Sequence, residues 1–185
     1  MTAKDLHAVH FIETERLYLR RLTEGDFKNL CTILKDEKAM YAYEHAFSDE
    51  EVKAWLDKQL LRYQIYGCGL WAVILKETGE FVGQCGLTVQ PTDREKVLEI
   101  GYLFRRDCWN NGYATEAAAA CKRFAFEKLG AKEVYSIVRD TNLASRRVAE
   151  KNGMTIKYSF VKHYYGKDMP HFAYSVTNSS ETERA

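Results

Sequence analysis

Two asparagines and a glycine directly before an alanine-rich segment form the pattern with the clearest chemical meaning. Asn110 and Asn111 end a run of turn-favouring residues, and Gly112 opens a segment of high helix propensity. The first amides of a helix lack internal partners, and the helix dipole places partial positive charge there. A glycine lets a bulky anion approach the main chain without a Cβ in the way. The spacing predicts a phosphate or pyrophosphate site, or alternatively a strand–turn–helix junction that binds no ligand.

Glu99 is the second residue whose position indicates chemistry, because it interrupts an otherwise apolar strand. Residues 97–104 are almost continuously apolar, which is the pattern of a strand covered on both faces. A carboxylate there is costly unless it is paired or faces a cavity, and burial raises its pKa. Such a group can take a proton from an amine near neutral pH. The alternative is a buried ion pair with an arginine.

The segment around the glycine turn also carries a resemblance to a known family. Residues 109–117 (WNNGYATEA) resemble the acyl-CoA-binding pattern Q/R-x-x-G-x-G/A of the GNAT acetyltransferases, with Gly112 and Ala114 at its two small positions. Trp109 departs from the Q/R position. It resembles instead the branch that includes the ribosomal-protein N-terminal acetyltransferases, in which an aromatic residue is familiar at this place.

A second segment supports the resemblance and departs from it at one important position. Residues 142–154 (NLASRRVAEKNGM) resemble the family segment N-x-x-[AS]-x-x-x-Y-x-K-x-G-F. The matching positions are Asn142, Ser145, Lys151 and Gly153, while Met154 stands where Phe is usual. Ala149 occupies the position of the tyrosine that is proposed, in much of the family, to protonate the departing thiolate.

The resemblance implies an acyl-CoA-dependent N-acetyltransferase that moves acetyl from acetyl-CoA to a primary amine by direct attack. It implies Glu99 as the base and Ser145 as the partner of the thiolate, with no metal required. Residues 102–104 would pair with the pantetheine amides as an added strand would. The residues implied to bind the coenzyme are Tyr102, Leu103, Phe104, Trp109, Asn110, Asn111, Gly112, Tyr113, Ala114, Thr115, Asn142 and Ser145.

Helical spacing places Asn142, Ser145 and Ala149 on one face, so the Ser145 hydroxyl lies one turn before the missing phenol. Ser145 could equally be a small helix residue without a catalytic role. Asn142 could be a helix N-cap, which is compatible with a hydrogen bond to the pantetheine arm. Glu116, in the first turn of the same helix as Ala114, is explained by the helix dipole and is not assigned to catalysis.

Two rival functions remain open at this level. A non-catalytic acyl-CoA-binding or interaction module on the same fold would explain the vacant tyrosine position. A nucleotide-phosphate enzyme is disfavoured, because no Walker lysine follows Gly112 and no Rossmann glycine triplet exists. An acyl-cysteine intermediate is also disfavoured, because Cys85, Cys108 and Cys121 have no neighbour in the sequence that marks a base.

The order of elements predicts an α+β, GNAT-like fold. It consists of one central mixed, mostly antiparallel sheet of about seven strands flanked by about four helices. The predicted strands are residues 11–22, 70–76, 80–89, 97–104, 134–138, 156–161 and 172–176. The predicted helices are residues 23–34, 48–66, 112–129 and 141–151. Loops are predicted at residues 90–93 and 166–170, and a loop or a broken helix is predicted at residues 36–47.

Length and composition set further limits. The 185 residues predict a single domain, 1–185, with a core at about 11–176 and a polar tail at 178–185. A net charge of +1 gives no global attraction to nucleic acid or to a membrane. Five scattered cysteines predict neither a disulfide framework nor a zinc site and favour a reducing cytoplasm. His163 and His171 match no metal motif and are interpreted as surface or cleft residues.

The acceptor is the part of the function that the sequence leaves open. The loops at residues 41–47 and 164–171 are expected to line its cleft. Protein N-termini, polyamines, aminoglycosides and amino acids are all compatible with a primary amine acceptor. The sequence also leaves the oligomeric state open, and a homodimer is one of the possibilities.

Overall fold

The computed structural model describes residues 12–164 and 166–178, and this part of the chain forms one eight-stranded sheet flanked by four helices. The strands are Ile12–Glu13 (β1), Leu17–Arg21 (β2), Leu70–Leu75 (β3), Phe81–Pro91 (β4), Lys96–Phe104 (β5), Glu133–Arg139 (β6), Thr155–Tyr164 (β7) and Lys167–Thr177 (β8). The helices are Phe27–Leu34 (α1), Asp49–Tyr66 (α2), Tyr113–Leu129 (α3) and Leu143–Lys151 (α4). The α+β fold with a mixed, mostly antiparallel sheet is confirmed. The extra strand arises because the segment predicted as the first strand holds two short ones.

The sheet consists of two groups of strands that are joined by one parallel register pair. Its order is β1-β2-β3-β4-β5-β6-β8-β7, and every neighbouring pair is antiparallel except β5 with β6. The parallel register between β5 and β6 consists of one pair, Glu99 with Tyr135. Beyond this pair the two strands separate, and a split opens in the middle of the sheet.

The helices cover opposite faces of the sheet. Trp55 of α2 donates its indole N–H to Gln84 Oε1 at 3.1 Å, whereas Cys121 of α3 lies with its Sγ 3.6 Å from Cys85 Sγ. Because Gln84 and Cys85 are consecutive on β4, α2 and α3 lie on different faces. Glu99 shares the parity of Gln84 in the β4–β5 register and therefore faces α2.

Two of the predicted helix boundaries are confirmed in detail. Ser48 and Glu51 form the capping box at the start of α2, with hydrogen bonds of 3.3 Å from Glu51 N to Ser48 Oγ and 2.8 Å from Ser48 N to Glu51 Oε2. α3 begins after Gly112 and ends at Gly130, and both glycines have the positive φ that a side chain would make costly.

Three predictions about strands are wrong. β4 continues through Pro91, where a loop was expected at residues 90–93. Most of the loop predicted at residues 166–170 is strand, because β8 begins at Lys167 and Pro170 is paired with Val161 of β7. Finally, β5 is not covered on both faces, since most of its side chains are only partly buried beside the split. In the first two cases, pairing with a long neighbouring strand overrides the local turn preference of proline and glycine.

Candidate active site

The turn between β5 and α3 has the backbone shape that the sequence predicted. Residues Arg106–Cys108 form a 3-10 turn, and Asn110 and Gly112 follow with φ values of +63° and +80°. Gly112 is the N-cap of α3 and provides no side-chain cap. The amides of the first helical turn are therefore available to an anion, and the helix dipole adds to their attraction for it.

Side chains on both sides hold this turn in shape. Trp109, at the position that departs from the family pattern, donates its indole N–H to the Phe104 carbonyl at 2.9 Å. Arg16, which precedes β2, donates from Nη1 to the Asn111 carbonyl at 2.9 Å. Its guanidinium also lies over the Tyr113 ring, 4.7 Å from the centroid. Sequence reasoning missed Arg16, because it lies about a hundred residues from the turn.

Glu116 anchors Arg16 and the chain that leads into β2. Its carboxylate accepts hydrogen bonds from Thr14 Oγ1 at 2.6 Å and from Arg16 N at 2.9 Å, and it forms an ion pair with Arg16 Nη2 at 2.7 Å. Burial opposes ionisation, but these hydrogen bonds hold the pKa of Glu116 below its usual value. Glu116 thus has a structural role in the turn in addition to its favourable place at the helix start.

The edge of β5 at the split presents main-chain groups to an extended ligand. The Ile100 carbonyl accepts from Ser136 Oγ of β6 at 2.8 Å and therefore points towards β6, and the Phe104 carbonyl, which has the same strand parity, accepts from Trp109 Nε1. Tyr102 lies between them with the same parity, beyond the single β5–β6 pair. Strand alternation therefore directs its amide and carbonyl into the split. Binding of the pantetheine arm by residues 102–104 stays a prediction, and this edge is suited to it.

A cavity of about 280 Å³ occupies the split and brings the predicted residues together. Glu99, Tyr102, Asn142 and Ser145 all line it, although they come from β5 and from the start of α4. Its wall reaches both faces of the sheet because the two strands diverge there. The cavity does not include the turn at Gly112.

Glu99 is positioned as a carboxylate that can exchange a proton. Its two oxygens accept hydrogen bonds from Thr88 Oγ1 at 3.2 Å and from the Ile137 amide at 3.3 Å. Burial raises the pKa of Glu99, against the opposing charges of Lys162 and Arg62. Among the described residues, no arginine is within ion-pair distance of it, which leaves the predicted ion pair without support.

Ser145 and Asn142 occupy the start of α4. Asn142 Oδ1 accepts from the Ser145 amide at 3.1 Å, so the N-cap role is confirmed. The Ser145 carbonyl accepts from the Tyr102 hydroxyl at 2.8 Å. None of the residues that the structure describes forms a hydrogen bond with the Ser145 hydroxyl, which is therefore available to a ligand. Ala149 is buried, and the Tyr102 phenol reaches α4 from the sheet.

The lining of the cavity on the side of α2, where the sequence predicted an acceptor cleft, was predicted only in part. The predicted loops contribute Ala42, Tyr43, Met169 and His171, but α2 contributes four residues and β7 contributes one that the sequence did not single out. The added residues are Trp55, Lys58, Gln59, Arg62 and Lys162. A possible signal was the pair of cations at helical spacing on α2. His171 lines the cavity, whereas His163 is exposed, with its Nδ1 2.5 Å from Asp168 Oδ1.

Among the described residues, we find neither an activated cysteine nor a cluster of metal ligands that would indicate a different active site. Cys85 and Cys121 are buried in the core, and burial raises the pKa of the Cys121 thiol. Burial also raises the pKa of the partly buried Cys108 thiol, so neither is activated as a thiolate. In the two ranges described, no group of three His, Cys, Asp or Glu side chains is placed to hold a metal ion. No helix there is long and apolar enough to cross a membrane.

Comparison with known proteins agrees with this geometry. A sequence model of the family described as Acetyltransferase (GNAT) domain matches residues 16–155. The uncharacterized protein YkkB of Bacillus subtilis (strain 168) is 37% identical over 142 residues, which cover 76% of this chain and 83% of YkkB.

Solved structures extend the likeness to the fold. A GNAT-family acetyltransferase from Bacillus anthracis has a TM-score of 0.78 and 25% identity, covering 90% of this chain and 98% of its own. RimL, a ribosomal L7/L12 alpha-N-protein acetyltransferase solved with coenzyme A, has a TM-score of 0.73 and 17% identity, covering 89% and 95%. RimL thus shares the fold. The glycine turn, the split sheet and the family match lead to one conclusion: the chain belongs to the GNAT family and is an acyl-CoA-dependent N-acetyltransferase.

Proposed function

We propose that the enzyme transfers acetyl from acetyl-CoA directly to a primary amine, with Glu99 as the base and Ser145 as the partner of the thiolate. The observation that carries this proposal is that Glu99 faces α2, Ser145 lies at the start of α4 on the other face, and both line one cavity through the sheet. A base for the acceptor and a hydroxyl for the leaving group thus meet from opposite sides.

The coenzyme is assigned to the side of α3 and α4. Its pyrophosphate would bind the free amides at residues 110–115, and its pantetheine arm would lie along the open edge of β5 beside Asn142. In this arrangement the thioester of the coenzyme would lie in the split. The acceptor would enter from the side of α2, where Glu99 is reached.

The reaction then needs two proton-handling groups. The free amine attacks the thioester carbonyl, and the nitrogen gives up a proton to the Glu99 carboxylate. The carbon–sulfur bond breaks, and the CoA thiolate accepts a hydrogen bond from the Ser145 hydroxyl before it is protonated from solvent. An alkyl ammonium has a pKa of about 10.4 and an α-amine one of about 7.7–8.0, so a base is useful near neutral pH.

The experiment is an acetyl-transfer screen with purified enzyme, acetyl-CoA, peptide N-termini and small amines. We expect amine-dependent release of CoA thiol together with an equal amount of acetylated amine by mass spectrometry. Thiol release without acetylated amine would contradict N-acetyl transfer. Intact-mass measurement after incubation with acetyl-CoA alone should show no adduct, whereas a stoichiometric adduct lost on substitution of Cys85, Cys108 or Cys121 would contradict direct attack.

We place this reaction in the cytoplasm. All five cysteines are free in the structure, as is usual for proteins kept in a reducing compartment.

A further inference from the structure

The acceptor side of the cavity carries more positive than negative charge. Four cations line its wall, and Glu99 is the carboxylate among the lining residues. The cations are Lys58 and Arg62 from α2, Arg139 from β6 and Lys162 from β7. Lys58 is exposed, whereas Arg62 and Lys162 are partly buried.

The four cations differ in whether the protein supplies a counter-ion. Arg139 forms an ion pair with Glu44, which also binds Lys167 at 2.6 Å. In contrast, no carboxylate of the described residues lies within ion-pair distance of Lys58, Arg62 or Lys162. The charge of Arg139 is therefore satisfied internally, while the other three cations share with Glu99, which lies beyond ion-pair distance, the lining of one cavity.

The two cations on α2 are held beside each other. Lys58 and Arg62 are four residues apart, a spacing at which like charges on a helix repel. Arg62 Nη1 donates to Gln59 Oε1 at 3.3 Å, and the same oxygen accepts from the Leu70 amide at 3.1 Å. Because Gln59 is fully buried, this hydrogen bond restrains the position of the Arg62 guanidinium.

Partial burial of Arg62 and its proximity to Lys58 disfavour the charged forms of both side chains, and the charge of Glu99 opposes this effect at Arg62. Desolvation lowers the pKa of Arg62, and desolvation together with the charge of Arg62 lowers the pKa of Lys58. A cation taken partly out of water without a partner is costly, and a bound anion would relieve that cost. Guanidinium is the side chain best suited to bind a carboxylate or phosphate through two parallel hydrogen bonds.

We propose that the acceptor is a small amine that also carries an anionic group, a carboxylate or a phosphate, bound by Arg62 and Lys58 while its amine lies at Glu99. This inference rests on the proposed function and names its substrate class. Lys162, with its Nζ 5.9 Å from the Phe160 ring centroid, adds positive charge from the β7 wall. The anion belongs to the acceptor rather than to the coenzyme, because α2 and Glu99 lie on one face and the turn that suits the coenzyme phosphates precedes α3.

The test compares matched amines that differ only in the anionic group. One arm uses an α-amino acid and its carboxamide, and a second uses phosphoethanolamine and ethanolamine. A third arm uses peptides whose second residue is acidic or neutral. Both kcat/KM for acetylation and calorimetric binding in the presence of CoA are measured, so that binding reports on this inference even where transfer does not occur.

We expect the charged member of the first or second pair to be preferred by about tenfold or more, the effect of one hydrogen bond to a charged group. Arg62→Gln and Lys58→Met should each reduce that preference. Lys53→Met is the matched control, since Lys53 lies on α2 outside the cavity and pairs with Asp57 and Glu24. It should leave the preference unchanged.

Three results would overturn the inference: equal binding of charged and neutral partners, a preference that survives both Arg62→Gln and Lys58→Met, or a preference confined to the peptide arm. Preferential binding without any acetyl transfer would instead support the inference and contradict the proposed function. The two failures are therefore distinguishable in one set of measurements.

Discussion

The two sides of the split are built in different ways. The turn that suits the coenzyme is made of consecutive residues from the end of β5 to the start of α3, and the groups that we propose to bind the phosphates are main-chain amides. The proposed acceptor side of the cavity is assembled from α2, β5, β6, β7 and β8, and its distinguishing groups are side chains. The first side depends on backbone conformation, and the second on which side chains the fold brings together.

This difference explains what each side can recognise. Main-chain amides at a helix start bind the same phosphate group whatever the neighbouring side chains are. A wall of side chains can change its charge without changing the fold, and here it presents Lys58 and Arg62. If the two sides are separable, a substitution on one side should leave binding on the other side unchanged.

Glu99→Gln should have the largest effect, because it removes the proposed base from the cavity between the two sides. Positioned general-base catalysis contributes about 10²–10⁴-fold, so kcat/KM near neutral pH should fall by that order. The loss should become smaller as pH rises and the amine deprotonates unaided. Steady-state rates between about pH 6 and 9 provide the measurement, with exposed Glu95→Gln as the control.

The stability of Glu99→Gln separates catalysis from structure. Since burial raises the pKa of Glu99, folding favours its protonated form, and this stabilising contribution is lost as pH rises through the folded-state pKa. At neutral pH the variant should therefore have an equal or higher Tm. Parental rates across the pH range, or a large fall in Tm, would show that Glu99 is a structural residue.

Gly112→Val tests the coenzyme side alone. A Cβ at this position would lie 3.4 Å from Arg16 Nη2, which is an ordinary contact, but φ of +80° is strained for a branched residue. We expect acetyl-CoA affinity to fall by about tenfold or more by calorimetry. Gly130→Val has similar backbone strain at the far end of α3 and open space around it, so it should reduce stability without reducing coenzyme affinity.

Ser145→Ala should have a smaller effect that differs in its pH dependence. Loss of one hydrogen bond to the thiolate should lower kcat by about tenfold. The loss should persist at high pH, because the hydroxyl acts on the leaving group and not on the amine. Ser159→Ala, an exposed change on β7, is the control. A Ser145→Ala rate that recovered with pH as Glu99→Gln does would place Ser145 on the acceptor side.

Glu116→Gln should give the smallest effect and should act through stability. The pKa of Glu116 is lowered in the folded protein, so its stabilising contribution is present above the unfolded-state pKa and is lost as pH falls. Since Arg16 is partly exposed, we expect a loss of about 1 kcal/mol at neutral pH, or about 2–4 °C in Tm. The difference from the parent should shrink in acid. A constant difference from neutral pH into acid would contradict this role for the charge.

The division between local and long-range structure also sets how much could be predicted from the sequence. The glycine turn, the capping box at Ser48 and the cap at Asn142 depend on a few neighbouring residues, and all three were predicted with the correct geometry. Arg16 contacts the turn from the other end of the chain, and nothing near Arg16 in the sequence indicates that contact.

Prediction from the sequence meets the same limit on the proposed acceptor side of the cavity. Arg62 is one of many charged residues on an amphipathic helix, and only the fold shows that it faces a cavity without a nearby carboxylate. Pro170 was read as a loop residue for its turn preference, yet it is in β8 beyond the last residue paired with β6. Its missing N–H is tolerated there, because β6 has ended.

The single pair between Glu99 and Tyr135 has a consequence for how the protein folds and opens. Strands β1 to β5 pair in sequence order, and β6, β8 and β7 form a second group, so each group is drawn from one continuous part of the chain. We expect the two groups to exchange amide hydrogens as separate cooperative units, with slower exchange inside each group than at the seam. Glu99 then lies on the boundary between two folding units, where small relative movements of the halves change the width of the split without disturbing either ladder.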